Sequence, residues 1–134
     1  MILTTKSRYA IQAMLYISIK DAKEPISISE ISNSEKISNK YLEQLFRKLR
    51  MKKIVKSSRG VYGGYILAKP PSKITVYDVI SAVERIDKAV PCKKNPKNRA
   101  ECIASELWVN FNKNVVEYFK SYTLTDLIKK SSKK

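Results

Sequence analysis

The chain has 134 residues, 43% of them apolar, which suffices for one compact core and is too little for two large ones. Its 27 Lys and Arg against 12 Asp and Glu give a net charge of +15, so the default partner is a polyanion, nucleic acid before an anionic membrane. Without histidine there is no His triad, His general base or His metal ligand, and no P-loop or dinucleotide fingerprint is present, so no enzyme activity is expected.

Thr4 or Thr5 can cap a first helix in which Tyr9, Ala10, Ala13, Met14 and Ile17 share one face. Asp21 to Pro25 reads as a loop. Ser27 with Glu30 is a capping-box pattern that opens a short helix over 28–35, and Ile37 follows as a buried turn residue. Ser38 can cap a helix over 38–50 whose Leu42, Leu45, Phe46 and Leu49 form a stripe at helical spacing. After Lys53 the period becomes strand-like. IVKSS, RGVYGG and YILA read as strand, turn and strand, with the Gly63-Gly64 pair freeing the tip of a hairpin over 54–68. Pro70-Pro71 ends the second strand, and Thr75 with Asp78 opens a helix carrying Val76, Val79, Ile80 and Val83. Residues 87–101, with two prolines and two asparagines, read as an irregular loop. A long helix resumes from about Ala104, with Leu107, Trp108, Phe111, Val115, Phe119 and Tyr122 on one stripe. Thr123 with Asp126 caps a last short helix.

This order predicts a mainly α fold with a small β-hairpin, a winged helix-turn-helix followed by a long C-terminal dimerisation helix. The divisions are 1–71 for the winged helix-turn-helix, 72–86 for a connecting helix, 87–103 for a cysteine-containing sensor loop, and 104–134 for the dimerisation helix and tail. Leu107, Trp108, Phe111, Val115 and Phe119 offer more apolar surface than one small core needs. They are expected to form a two-fold seam, because palindromic DNA favours dimeric readers.

The 38–50 helix turns Lys40, Gln44 and Arg47 away from its apolar stripe, with Glu43 at the edge. Arg can grip guanine, Gln can pair with adenine and Glu can accept from the cytosine amino group, while Lys40 suits a phosphate. Any amphipathic helix has a polar face. Glu43 is the informative residue, since a carboxylate aimed at phosphates weakens non-specific binding. The run from Arg47 to Arg59 holds seven basic residues, both arginines included, and no acid. Arg59 sits at the hairpin tip beside Gly60, near Tyr62 and Tyr65, placed to enter a minor groove.

The blocks LTTKSRYAIQAML, ISNKYLEQLFRKLR and SSRGVYGGYILAKPPSKITVYDVISAVE, followed by ELW and TLTDL, resemble the Rrf-two family of winged-helix transcription regulators, which includes IscR-, NsrR- and CymR-type repressors. The resemblance covers nearly the whole chain. It implies a homodimer that reads an operator through the 38–50 helix and the wing. The DNA-binding set is then Ser38, Asn39, Lys40, Tyr41, Glu43, Gln44, Arg47, Arg59, Gly60, Gly63 and Gly64.

Cluster-binding members of that family hold an iron–sulfur centre with three cysteines in the loop before the long helix and a fourth ligand elsewhere. Cys92 and Cys102 match the first and last cysteine, Pro96 stands at the middle position, and Ser105 stands where a family histidine falls. The ligand set for an iron–sulfur cluster is incomplete. Three readings stay open: remnants in a regulator controlled by an effector protein or small molecule, a thiol–disulfide switch favoured by Lys93, Lys94, Lys97 and Arg99, or a cluster with unusual or shared ligands. The expected function is a sequence-specific regulator, a repressor of iron–sulfur, sulfur/cysteine or redox-stress genes, binding double-stranded DNA as a homodimer. The competing reading is a non-specific basic nucleic-acid-binding protein. With no apolar run near 18 residues and no signal pattern at the N-terminus, the expected location is the cytoplasm.

Overall fold

The computed structural model describes residues 4–20, 24–60, 63–86 and 98–132. Its elements are α1 (Thr5–Lys20), α2 (Ile28–Glu35), α3 (Asn39–Met51), β1 (Val55–Ser58), β2 (Gly64–Leu67), a short 3-10 turn (Pro71–Lys73), α4 (Val76–Val83), α5 (Arg99–Lys120) and α6 (Leu124–Ser132). The mainly helical architecture with one two-stranded antiparallel sheet is the expected fold class.

The main core forms where two apolar stripes meet. Ala10, Ala13, Met14 and Ile17 of α1 pack with Leu42, Leu45, Phe46 and Leu49 of α3. Ile31 of α2, Val79 and Val83 of α4, and Leu124 at the start of α6 join the same cluster. Burying a side chain of this size contributes about 1.5–3 kcal/mol relative to leaving it in water.

Local chemistry sets the boundaries. The Ser27 hydroxyl accepts from the Glu30 amide at 3.1 Å and that of Ser38 from the Tyr41 amide at 3.1 Å, each satisfying a free helix N–H. Lys36, at φ 58°, turns the chain between α2 and α3, and Lys53, at φ 60°, turns it from α3 into the hairpin. Thr75 and Asp78 form a complete capping box, with both bonds at 3.0 Å. Thr123 and Asp126 exchange the same pair of bonds at the start of α6.

Two expectations change here. The long helix starts at Arg99, five residues before Ala104, because the Asn98 side chain accepts from the Glu101 amide at 2.8 Å and caps it. Cys102 therefore lies in the first turn of a helix and not in a loop. Thr4 also does more than precede α1: its hydroxyl and that of Ser7 both donate to the Glu84 carboxylate, tying the start of α1 to the end of α4.

The stripe on α5 divides. Phe119, with Tyr122 just beyond the helix, packs on a second cluster of Val76, Ile80 and Ile86. Towards the N-terminus Ile103, Leu107, Trp108, Val109 and Phe111 stay exposed. Among the described residues no helix is long and apolar enough to cross a membrane.

Candidate nucleic-acid interface

With its four apolar residues facing inwards, α3 presents Asn39, Lys40, Glu43, Gln44 and Arg47 to solvent. Lys40, Gln44 and Arg47 recur at i, i+4 and i+7, which places them on one face. Among the described residues Glu43, Gln44 and Arg47 make no side-chain hydrogen bond or ion pair, so the face offers unspent donors and acceptors. The Ser38 hydroxyl is committed to its cap. Tyr41 is half-buried, its ring edge-on to that of Tyr9 at 5.6 Å, and burial first, then the proximity of Tyr9 and Glu84, pushes its hydroxyl pKa up. Its ring thus braces the start of α3 and its hydroxyl stays protonated.

The wing is bound to the segment before α2 and to α3 by contacts that no local sequence pattern announces. Ile26, outside the two strands, pairs with Tyr65 of β2, with N–H···O bonds of 2.9 and 2.8 Å in both directions. The Tyr65 ring lies 4.7 Å from that of Phe46, centroid to centroid. Tyr65 therefore belongs to the support of the wing and not to its tip. Arg50 Nη1 donates to Ser57 Oγ at 3.4 Å, a further link from α3 to β1. The register from Val55↔Leu67 to Ser58↔Gly64 then carries the exposed Arg59 beyond the last pair.

The glycines have different roles from those expected. Gly60 has φ +112°, where a side chain is strained. Gly63 donates its N–H to the Gly60 carbonyl at 3.0 Å. Gly63 and Gly64 are required for space: a Cβ would fall 2.6 Å from the Ser58 oxygen at the first and 2.3 Å from the Ile26 oxygen at the second. Tyr62 lies outside the described residues.

A third basic element, Lys56 on β1, is exposed between α3 and the tip, as are Lys48 and Arg50 on the helix itself. With Lys40, Arg47 and Arg59 they give a positive surface suited to phosphate contacts on either side of a reading helix.

A family described as Rrf2, iron-dependent transcriptional regulators, matches residues 3–130. The chain belongs to the Rrf2 family. It is 41% identical over 132 residues to an HTH-type transcriptional regulator of Neisseria meningitidis serogroup A, covering 97% of this chain and 89% of that one. Its structure is similar to that of T. potens IscR, with a TM-score of 0.79, 32% identity, and coverage of 98% of this chain and 88% of the other. It is equally similar to CymR, the global cysteine regulator of B. subtilis, with a TM-score of 0.79, 35% identity and 95% of both chains covered. As an Rrf2 protein the chain is a DNA-binding transcription regulator with a winged helix-turn-helix, and not an enzyme.

The iron dependence in the Rrf2 description raises the question of ligands. Cys102 is exposed on α5, and Cys92 lies outside the described residues. Among the described residues no group of three His, Cys, Asp or Glu is gathered for a metal ion. The chain holds two cysteines and no histidine, so these residues do not fit a four-ligand iron–sulfur centre held within one chain.

Of the residues expected at a dimer seam, Leu107, Trp108 and Phe111 are exposed, whereas Val115 and Phe119 are half-buried and Phe119 packs within the chain.

Proposed function

We propose that this Rrf2 protein binds a palindromic operator as a homodimer and represses genes of iron–sulfur, sulfur/cysteine or redox-stress metabolism in the cytoplasm. The observation that carries the reading is the unpartnered polar face of α3, with Glu43 among its cations, set beside a wing that presents Arg59. A carboxylate there disfavours indiscriminate phosphate binding and favours a cytosine amino group. The DNA-contact set is Ser38, Asn39, Lys40, Tyr41, Glu43, Gln44, Arg47, Arg59, Gly60, Gly63 and Gly64. Ser38, Tyr41, Gly60, Gly63 and Gly64 act by shaping the backbone and bracing α3, and the others reach the duplex.

Dimerisation follows from α5. Leu107 and Ile103 are 57% and 59% exposed and Trp108 40%, an apolar face that water disfavours and that a second copy would cover. A two-fold pair places two reading helices on successive major-groove faces, about 34 Å apart. Control of DNA binding is assigned to an effector protein, a small molecule, the thiols, or a cluster with unusual or shared ligands, since the ligand set within one chain falls short of an ordinary cluster. The bearing of the IscR and CymR relatives is the same: both names belong to regulators, one of them of cysteine.

The deciding experiment selects duplexes from a random pool and then competes the enriched sequence against a scrambled one. An inverted repeat that outcompetes its scrambled form by about a thousandfold or more supports the reading. Equal competition overturns it and leaves a non-specific binder.

A further inference from the structure

The positive charge of the chain is not confined to the DNA face. The wing tip lies at the Ser58↔Gly64 end of the hairpin, while the other end, at Val55↔Leu67, is roughly 10 Å away at the usual rise per residue. Lys52, the C-cap of α3, and Lys69, just past β2, flank that far end. The Ala68 amide donates to the Ile54 carbonyl at 2.9 Å and holds the two chain segments together there. Arg85 follows α4 on the facing side. These three cations line a cavity of about 410 Å³, with Tyr77 and Ser81 supplying hydroxyl groups.

Two acids also line this cavity, each held in place by neutral donors. Asp78 Oδ2 accepts from the Thr75 amide at 3.0 Å, and the Glu84 carboxylate accepts from Thr4 and Ser7. Lys52, Lys69 and Arg85 have no ion-pair partner among the described residues. The lining thus holds three basic side chains against two acidic ones, with no ion pair joining them among the described residues, and nothing about reading DNA requires the three cations at the base of the hairpin. A second cavity of about 400 Å³ shares Lys52, Ser81, Glu84 and Arg85 in its lining and is walled by Met51, Ala82 and Val83.

We propose that this cavity binds a small dianion, a phosphate-bearing or dicarboxylate metabolite, with Lys52, Lys69 and Arg85 as its charge partners. The Arg85 guanidinium suits two oxygens of one acid group, and the two lysines act as point charges beside it. The Tyr77 hydroxyl donates to a remaining oxygen, while that of Ser81 already donates to the Asp78 carbonyl at 3.3 Å. A ligand held so bridges the end of the reading helix, the base of the wing and the end of α4. The site does not depend on the DNA reading above, because it is tested on the full chain without DNA.

The test is a backbone amide NMR titration of the ¹⁵N-labelled chain with sodium phosphate and, separately, disodium succinate, each against sodium chloride at the same ionic strength. Saturable shifts at millimolar ligand, centred on Lys52, Lys69, Tyr77, Ser81 and Arg85, are expected with one or both dianions. The arm that saturates distinguishes phosphate from dicarboxylate chemistry. R85Q and K69Q, on exposed side chains, should keep the wild-type spectrum elsewhere and weaken binding about tenfold each. Shifts that chloride reproduces, shifts spread equally over Lys40, Arg47 and Arg59, no saturation with either dianion, or unchanged affinity in both variants would each overturn the proposal.

Discussion

Gly64 lies against the backbone of Ile26 so closely that a Cβ at Gly64 would sit 2.3 Å from the Ile26 carbonyl oxygen. Backbone cannot yield as a flexible side chain can. The contact is also where Ile26 and Tyr65 exchange hydrogen bonds. Gly64→Ala is therefore expected to destabilise the fold by about 1–3 kcal/mol, the cost of forcing atoms into a filled site. Urea unfolding measures the loss. Amide exchange at Tyr65 should quicken at the same time, since the wing anchor is what gives way. A variant as stable as the wild type would contradict the close approach.

At the DNA face, the two kinds of contact should separate. Lys40→Ala removes a charge suited to phosphate, so it should weaken binding to every sequence alike and lower the salt slope by about one. Glu43→Ala should broaden sequence preference more than it lowers affinity, at a scale of about 1–3 kcal/mol of discrimination at one base pair. Arg59→Ala should weaken binding and relax preference where the wing enters the groove. Competition against single-base variants of the selected site reads all three. Identical profiles for the Lys40 and Glu43 variants would mean that Glu43 reads no base.

Much of this arrangement is legible before any coordinates, and the reason is local. Leu42, Leu45, Phe46 and Leu49 repeat at helical spacing behind Ser38, so both the helix and its outward face follow from the chain. Thr75 with Asp78 and Thr123 with Asp126 are equally local signals. The start of α5 was legible too, in Asn98 followed three residues later by Glu101, but the prolines and lysines before it mask that cap within a stretch that reads as one loop. The rest is long-range. No pattern within either segment says that Ile26 will pair with Tyr65, that Tyr65 will meet Phe46, or that Glu84 will bind Thr4 and Ser7 across 77 residues and more. For the same reason the α5 stripe reads as continuous in the sequence, whereas the structure buries Phe119 within the chain and leaves Leu107 and Trp108 outside.

That division makes the proposed dimer separable from the fold. Leu107 and Trp108 are exposed in the single chain, so Leu107→Asp with Trp108→Ser should change monomer stability little, by about 0.5 kcal/mol or less for each. If α5 is the seam, the pair places a charge in an apolar interface, and sedimentation should show a monomer where the wild type is a dimer. Affinity for the palindromic site should fall steeply while affinity for an isolated half-site stays. Phe119→Ala is the contrast. It cuts into the cluster of Val76, Ile80 and Ile86 and should destabilise the chain itself by about 3 kcal/mol. A double variant that remains dimeric would move the seam away from α5.

The pH response of the α1–α2 contact can be stated with its sign. The Tyr16 hydroxyl donates to Glu30 Oε2 at 2.7 Å, and Lys20 Nζ lies 3.2 Å from the same oxygen. The Tyr16 bond first, and Lys20 second, hold the Glu30 carboxyl below its ordinary value of 4.5. A carboxyl pKa lowered by folding contributes stability that is complete above the unfolded value and fades as pH falls through the folded one. The wild type should therefore lose stability relative to Glu30→Gln on acidification below about pH 5. The contribution is small because the group faces water. The site-specific readout is the Glu30 carboxyl carbon shift followed by NMR titration. Tyr16→Phe removes the larger cause and leaves Lys20 in place, so the midpoint should rise towards 4.5 without reaching it. A midpoint that does not move in Tyr16→Phe would show that Lys20 alone sets the charge of Glu30.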